Sequence, residues 1–339
     1  MKKSWRNAIL FLSSVLLVTG LAGCGGAASP AGSGGSASQD SFPSKDIELV
    51  VGYAPGGGYS DWAQAIAPFI QKHLPNEVNV LVRNMEGAGS AIAANYVQKA
   101  APDGYTIGVY NLGGLAGTQL AREVQYDLST VTWLARMSLD PAILTVGKDT
   151  PFQTVQDVAA KQDLIVSTKG LAANATLTGA ATLAALQNTT WEPLNHDGTS
   201  ESILAVIRGD ADATWGSIDS QKQYIDSGDL RMLLYYDSAR HPDYPEVPIP
   251  SEVGLPAEMN EAFNTHRLIG APPGLPEDIL TILEDAIKKA LEDPEFLQQV
   301  EKMEVTVNYL NGADTTEVVN KTLAGYESYK DVVVDLLSK

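Results

Sequence analysis

Short apolar runs alternate with longer segments of helical spacing from Asp46 onward, and this rhythm constrains the chain more than any other feature. Ile47-Glu48-Leu49-Val50-Val51 predicts a strand, and the segment Trp62 to Leu74 predicts a helix with apolar residues at Trp62, Ile66, Phe69, Ile70 and Leu74. Val78 to Val82, Ala91 to Ala100 and Thr106 to Tyr110 then read as strand, helix and strand. The order βαβαβ calls for a mostly parallel sheet covered by helices. The middle section repeats the scheme, with strands at Ile143 to Val146, Leu164 to Val166, Ala213 to Trp215 and Arg231 to Tyr235, and helices at Ala173 to Gln187 and Ser202 to Arg208. Pro242, Pro245, Pro248, Pro250 and Pro256 then exclude regular helix and central strand, so that stretch is a loop or crossover. Helices over Pro276 to Leu291 and Thr315 to Leu337 close the chain.

Three strand-to-helix turns are rich in small and polar residues. The first strand ends in Tyr53-Ala54-Pro55-Gly56-Gly57-Gly58-Tyr59-Ser60-Asp61, just before a helix. Such a turn frees backbone N–H groups to face an anion, and the helix N-terminus adds a favourable dipole. A phosphate-binding Walker loop would need lysine where Gly58 stands, and the dinucleotide pattern would need glycine where Asp61 stands. The plain alternative is a tight turn capped by Ser60 or Asp61. Glu86-Gly87-Ala88-Gly89-Ser90 and Ser167-Thr168-Lys169-Gly170-Leu171-Ala172-Ala173-Asn174 have the same character. Ligands in open α/β sheets sit beyond the carboxyl ends of the strands, so the three loops point to one shared cleft.

Composition narrows the function. The 339 residues carry a formal charge of −18, which argues against a grip on nucleic acid through its phosphates. Four scattered histidines and a single cysteine, Cys24, do not make a zinc site, and no other metal or cofactor motif stands out. There is no Gly-x-Ser-x-Gly elbow and no His-Glu-x-x-His, so no catalytic residue is assigned. His196-Asp197-Gly198 follows a strand and precedes a helix, which makes it either part of the cleft or a simple turn. Residues 1–23 read as an export signal: Lys2, Lys3 and Arg6 precede an uncharged run from Ala8 to Gly23, too short to span a membrane. Leu21-Ala22-Gly23-Cys24 resembles a bacterial lipobox, which makes Cys24 the expected site of lipidation. Gly25 to Asp40 is almost all Gly, Ala and Ser, a flexible tether within the 24–45 segment. The expected location is extracytoplasmic, on the outer face of the cell membrane, with only the lipid touching the bilayer.

Further markers recur in order: Asn84 with Gly87-Ala88-Gly89, Pro102-Asp103-Gly104-Tyr105-Thr106, Arg208-Gly209-Asp210-Ala211-Asp212, Gly228-Asp229-Leu230-Arg231, Val247-Pro248, Ala271-Pro272-Pro273-Gly274-Leu275-Pro276 and Leu291-Glu292-Asp293-Pro294. With the Gly57-Gly58-Tyr59-Ser60-Asp61 loop, this set resembles the substrate-binding proteins of tripartite tricarboxylate transporters, the Bug family, from Ile47 to near the end. The resemblance implies an α/β, two-lobed, type II periplasmic-binding-protein clamp, each lobe a mostly parallel sheet flanked by helices. Residues 46–112 plus 231–339 would form one lobe and 113–230 the other. It also implies a monomer with no cofactor and no catalysis, which binds a small mono-, di- or tricarboxylate and hands it to transporter membrane subunits. By match, Tyr53, Gly57, Gly58, Tyr59, Ser60 and Asp61 belong to the first binding loop, with Gly87, Ala88 and Gly89 beside it. Thr168, Gly170 and Asn174 face them, and His196 and Asp197 stand where relatives often carry Tyr-x-Gly. Gln64-Ala65 replaces a common Ala-Arg, and Asn264-Thr265-His266-Arg267 replaces an aromatic. Arg267 is either a charged partner for a second carboxylate or a surface salt bridge. Two other readings are a ligand-sensing lipoprotein of a signalling system and a hydrolase using Ser60 or Ser90.

Overall fold

The computed structural model describes residues 42–338 except 57, 172, 189, 197 and 304. The expected export signal, Cys24 and most of the tether lie outside the described residues, as do Gly57 and Asp197.

Ile47, Leu49, Val50 and Val51 are wholly buried, so β1 (Ile47–Val51) sits inside a sheet with both faces covered. Helix α1 (Gly58–His73), β2 (Val80–Asn84), α2 (Ala91–Lys99), β3 (Thr106–Asn111) and α3 (Leu112–Ala121) follow. β1 pairs in parallel with β2 and β3 on either side, Leu49 lying opposite Val82 and Ile107. β4 (Thr132–Asp140) comes next, and a single proline, Pro141, carries the chain into β5 (Ala142–Gly147) of a second sheet. There α4 (Val155–Ala160), β6 (Ile165–Thr168), α5 (Asn174–Ala185), β7 (Glu192–Asn195), α6 (Thr199–Arg208), β8 (Ala213–Ser217), α7 (Ile218–Asp226) and β9 (Leu230–Tyr235) complete the order β7-β6-β8-β5-β9. The proline-rich stretch is a loop with one 3₁₀ turn at Pro250–Val253. It leads through α8 (Met259–Ala262) to β10 (Thr265–Ala271), back in the first sheet. Helices α9 (Glu277–Leu291) and α10 (Pro294–Lys302), strand β11 (Leu310–Asn311), and helices α11 (Gly312–Ser328) and α12 (Lys330–Ser338) finish an order β11-β4-β10-β3-β1-β2.

Both sheets are mixed. The βαβ units give the parallel pairs that the sequence predicts, whereas β10 runs antiparallel to both β3 and β4, and β5 antiparallel to both β8 and β9. The antiparallel partners are strands that enter or leave a sheet where the chain crosses between the two. The single last helix expected from Thr315 to Leu337 is instead two, α11 and α12, broken at Tyr329, where Tyr326 and Tyr329 both turn onto Phe263.

Helices cover the first sheet through regular apolar faces. In α9, Leu283, Ala286, Ile287, Ala290 and Leu291 are buried at i, i+3, i+4, i+7 and i+8, and acids in its first turn and lysines in its last suit the helix dipole. It packs on α1, whose Trp62, Ile66 and Ile70 are buried at a spacing of four. Wholly buried Phe296 of α10 meets Trp62 edge-on at 6.0 Å. The two crossings between sheets are clasped by one side chain: buried Asn264 accepts from the Ala142 N–H at 3.0 Å and donates to the Tyr236 carbonyl at 2.9 Å. Among the described residues no helix is long and apolar enough to cross a membrane.

Candidate functional site

Beyond the strand ends of both sheets lies a cavity of about 710 Å³. Helix beginnings dominate its wall. Gly58 and Tyr59 open α1, Gly114 lies in the first turn of α3, Asn174 and Ala175 open α5, Thr199 opens α6, and Ser217 and Ser220 flank the start of α7. Each such end presents backbone N–H groups and the positive pole of a dipole, so the cavity favours negative charge although the chain as a whole is acidic.

Side chains sharpen this preference. Arg267, on β10, lines the cavity, donates from Nη1 to the Ser138 hydroxyl at 3.1 Å and stands 5.2 Å over the Tyr59 ring. Its Nε is buried without a partner. Tyr59 stacks on Tyr53 at 4.7 Å, and the Tyr53 hydroxyl accepts from Asn111 Nδ2 at 2.7 Å. The Tyr59 hydroxyl has no partner, and burial pushes the pKa of both phenols up, so both stay neutral donors at physiological pH. Lys169 is exposed at the mouth and donates to the Thr199 hydroxyl at 3.2 Å. Desolvation pulls its ammonium below the ordinary lysine range, with Asp140 opposing and Arg267 adding to the effect. Asp140, the last residue of β4, is only 4% exposed and lines the same cavity. Burial first, and the Asp219 charge second, raise its carboxyl to about 7.

Of the residues singled out from the sequence, Tyr53, Gly58, Tyr59, Gly89, Thr168, Gly170 and Asn174 line this one cavity. The wall residues do not include Ser60, Asp61, Gly87, Ala88 or His196. Ser60 is buried and accepts from Asn84 Nδ2 at 2.8 Å, so its hydroxyl holds the loop to β2. Asp61 is exposed. Gly87 and Ala88 lead into the 3₁₀ turn Ala88–Ser90, which approaches β1 so closely that a Cβ on Gly52 would lie 1.8 Å from Ser90 Oγ. His196 follows β7, and its N–H extends the pairing by donating to the Thr168 carbonyl at 2.8 Å. Asn174 lines the cavity but already bridges elements: its Nδ2 donates to the Phe263 carbonyl at 2.6 Å and its Oδ1 accepts from the Tyr326 hydroxyl at 2.7 Å. Among the described residues Arg267 makes no salt bridge, and it lines the cavity. Asp140 was not singled out: an isolated acid before a proline gives no signal of its own, and only the crossing brings it opposite β10.

Comparison with known proteins agrees with this architecture. The model of the tripartite tricarboxylate transporter family receptor matches residues 63–329. The UPF0065 protein in gbd 5'region of Cupriavidus necator is 28% identical over 92% of this chain and 94% of its own length. A UPF0065 protein of a Pseudomonas strain, from the tcbD-tcbE intergenic region, is 30% identical over 78% of this chain and 79% of its own. Among solved structures, a TctC solute-binding protein from Polaromonas superposes with a TM-score of 0.72 at 25% identity, covering 86% of this chain and 99% of that one. MatC of Rhodopseudomonas palustris, solved with bound malate, gives 0.66 at 23% identity over 86% and 100% of the two chains. Rpa4515 of the same organism, solved with adipate, gives 0.67 at 22% over 86% and 98%. Those low identities speak to the fold alone, but the family match spans most of the folded body. The chain therefore belongs to the tripartite tricarboxylate transporter receptor family, whose members bind solutes and are not enzymes.

Proposed function

We propose that this protein is an extracytoplasmic receptor, anchored through lipid on Cys24, that captures a small organic carboxylate in the cleft and delivers it to a tripartite tricarboxylate-type transporter. One observation carries the reading: five helix N-termini and Arg267 converge on a single cavity between two sheets. Relatives of the same fold hold malate and adipate. The two sheets act as lobes hinged where the chain crosses between them, at Pro141 and across 236–264, and ligand bridges the loops of both to favour the closed form. The first-lobe contacts are Tyr53, Gly57, Gly58, Tyr59 and Gly89, and the second-lobe contacts are Thr168, Gly170 and Asn174.

Affinity does not require a large positive field. Each hydrogen bond to a charged group contributes about 1.5–3 kcal/mol, and micromolar binding needs about 8. A few loop N–H groups with Arg267 suffice. Isothermal calorimetry on the purified protein against mono-, di- and tricarboxylates tests the reading, with binding of at least one class at micromolar affinity expected. Absence of binding by every class would sink it. Anchoring is tested apart: metabolic labelling with radioactive palmitate should mark the protein and miss Cys24→Ala.

A further inference from the structure

The cleft wall carries buried Asp140 and half-buried Arg267, each with one polar atom left without a partner. Asp140 and Arg267 sit on neighbouring antiparallel strands, Asp140 opposite Thr265 and Arg267 opposite Ser138. All four side chains therefore share one face of the sheet, with Asp140 and Arg267 on a diagonal, roughly 7–8 Å apart at the backbone. The two charges do not close on each other. Arg267 turns to Ser138 and keeps a buried, unpartnered Nε, while Asp140 keeps a buried, unpartnered Oδ1. An acid and a base, each with one polar atom that the protein leaves without a partner, thus line the same wall. A dicarboxylate that meets Arg267 with one end brings a second negative charge into a wall that also carries Asp140.

We infer that the cleft selects a small zwitterion, an aminocarboxylate whose carboxylate meets Arg267 and the helix N-termini while its ammonium meets Asp140. This deepens the carboxylate-receptor reading and rests on it. The ligand end that reaches Asp140 also sets the sign of a proton exchange. Asp219 on α7, Arg267 on β10, Lys169 after β6, Tyr59 on α1 and Tyr235 on β9 are the charged and titratable groups around it. With its carboxyl raised to about 7, Asp140 is partly protonated at neutral pH. An ammonium arriving there expels the proton, whereas a carboxylate arriving there draws one in.

The test is calorimetry on the purified protein at pH 7 in two buffers of different ionisation heat, with matched probes of four and six carbons. These are butanoate, succinate, 4-aminobutanoate and 2-aminobutanoate, then hexanoate, adipate, 6-aminohexanoate and norleucine. The expected result is an aminocarboxylate that binds at least tenfold more tightly than its dicarboxylate counterpart and releases protons on binding. Asp140→Asn should abolish both the preference and the release; should that variant misfold, the proton count of the wild-type protein decides alone. Tighter binding of a dicarboxylate with proton uptake overturns the inference and leaves the carboxylate receptor standing. Failure of all four aminocarboxylates to bind overturns this inference, whereas the receptor reading falls only if mono-, di- and tricarboxylates fail as well.

Discussion

Arg267 and Asp140 both line the cavity, and each keeps one buried polar atom to which the fold gives no partner. Arg267 is tied to the protein by one hydrogen bond to Ser138 and by its ring contact with Tyr59, so its removal should cost ligand more than fold. For Arg267→Ala we expect ligand affinity to fall roughly ten- to hundredfold by calorimetry, the worth of one charge-assisted hydrogen bond, with the unfolding midpoint nearly unchanged. Asp140 has the opposite signature. Its folded carboxyl titrates near 7, above the usual aspartate value of about 4, so folding favours its protonated form. Its contribution is fully present below the unfolded pKa and is lost as pH rises through about 7. Asp140→Asn should accordingly raise the melting temperature at pH 8 and change it little at pH 4, as thermal scans at the two pH values would show. Neither role was open to sequence reasoning in full. Arg267 could be read two ways because β10 was not foreseen, and Asp140 gained its meaning only from a partner 125 to 127 positions away in the antiparallel register.

At the scale of elements, legibility followed locality. The βαβ units and the glycine-rich turns were readable because their signals lie within a few residues of each other: an apolar run, a small-residue turn, a helical stripe. The sequence reading missed β4 and β10, which are buried along most of their length, show no sustained alternation and owe their pairing to strands distant in sequence. The same logic separates the turn residues. Small residues at 58 and 89 line the cleft, whereas Ser60 of the same loop is tied to Asn84 and lies outside the wall. His266 of β10 belongs to this scale. It is wholly buried with both ring nitrogens unpartnered, and desolvation, aided by Arg136, lowers its pKa to about 3. The unfolded chain takes up the proton near 6.5 and the folded one does not until about 3, so stability is present above 6.5 and falls as pH drops between these values. Wild-type protein should lose melting temperature over that window more steeply than His266→Gln. Helix packing gives a sharper figure: Phe296→Ala should cost about 3–5 kcal/mol in urea titration, because the ring is wholly buried against Trp62 and Phe69.

For the whole molecule, two mixed sheets meet at a cleft whose wall comes from both, and the chain passes between them through only a short proline link and a proline-rich return. A ligand that binds both walls should stabilise the assembly by about 2.7 kcal/mol when present at a hundred times its dissociation constant. Small-angle scattering should show the radius of gyration contract at the same saturation, and an unchanged radius would argue against closure. The Asn264 clasp stands apart from the cavity wall. It fastens the two crossings to each other beneath the cleft and lends no atom to the cavity wall. Closure and recognition would then rest on different residues: under the proposed function, substitutions at Arg267, Asp140 or Lys169 should change what is captured and leave the Asn264 contacts between the crossings in place.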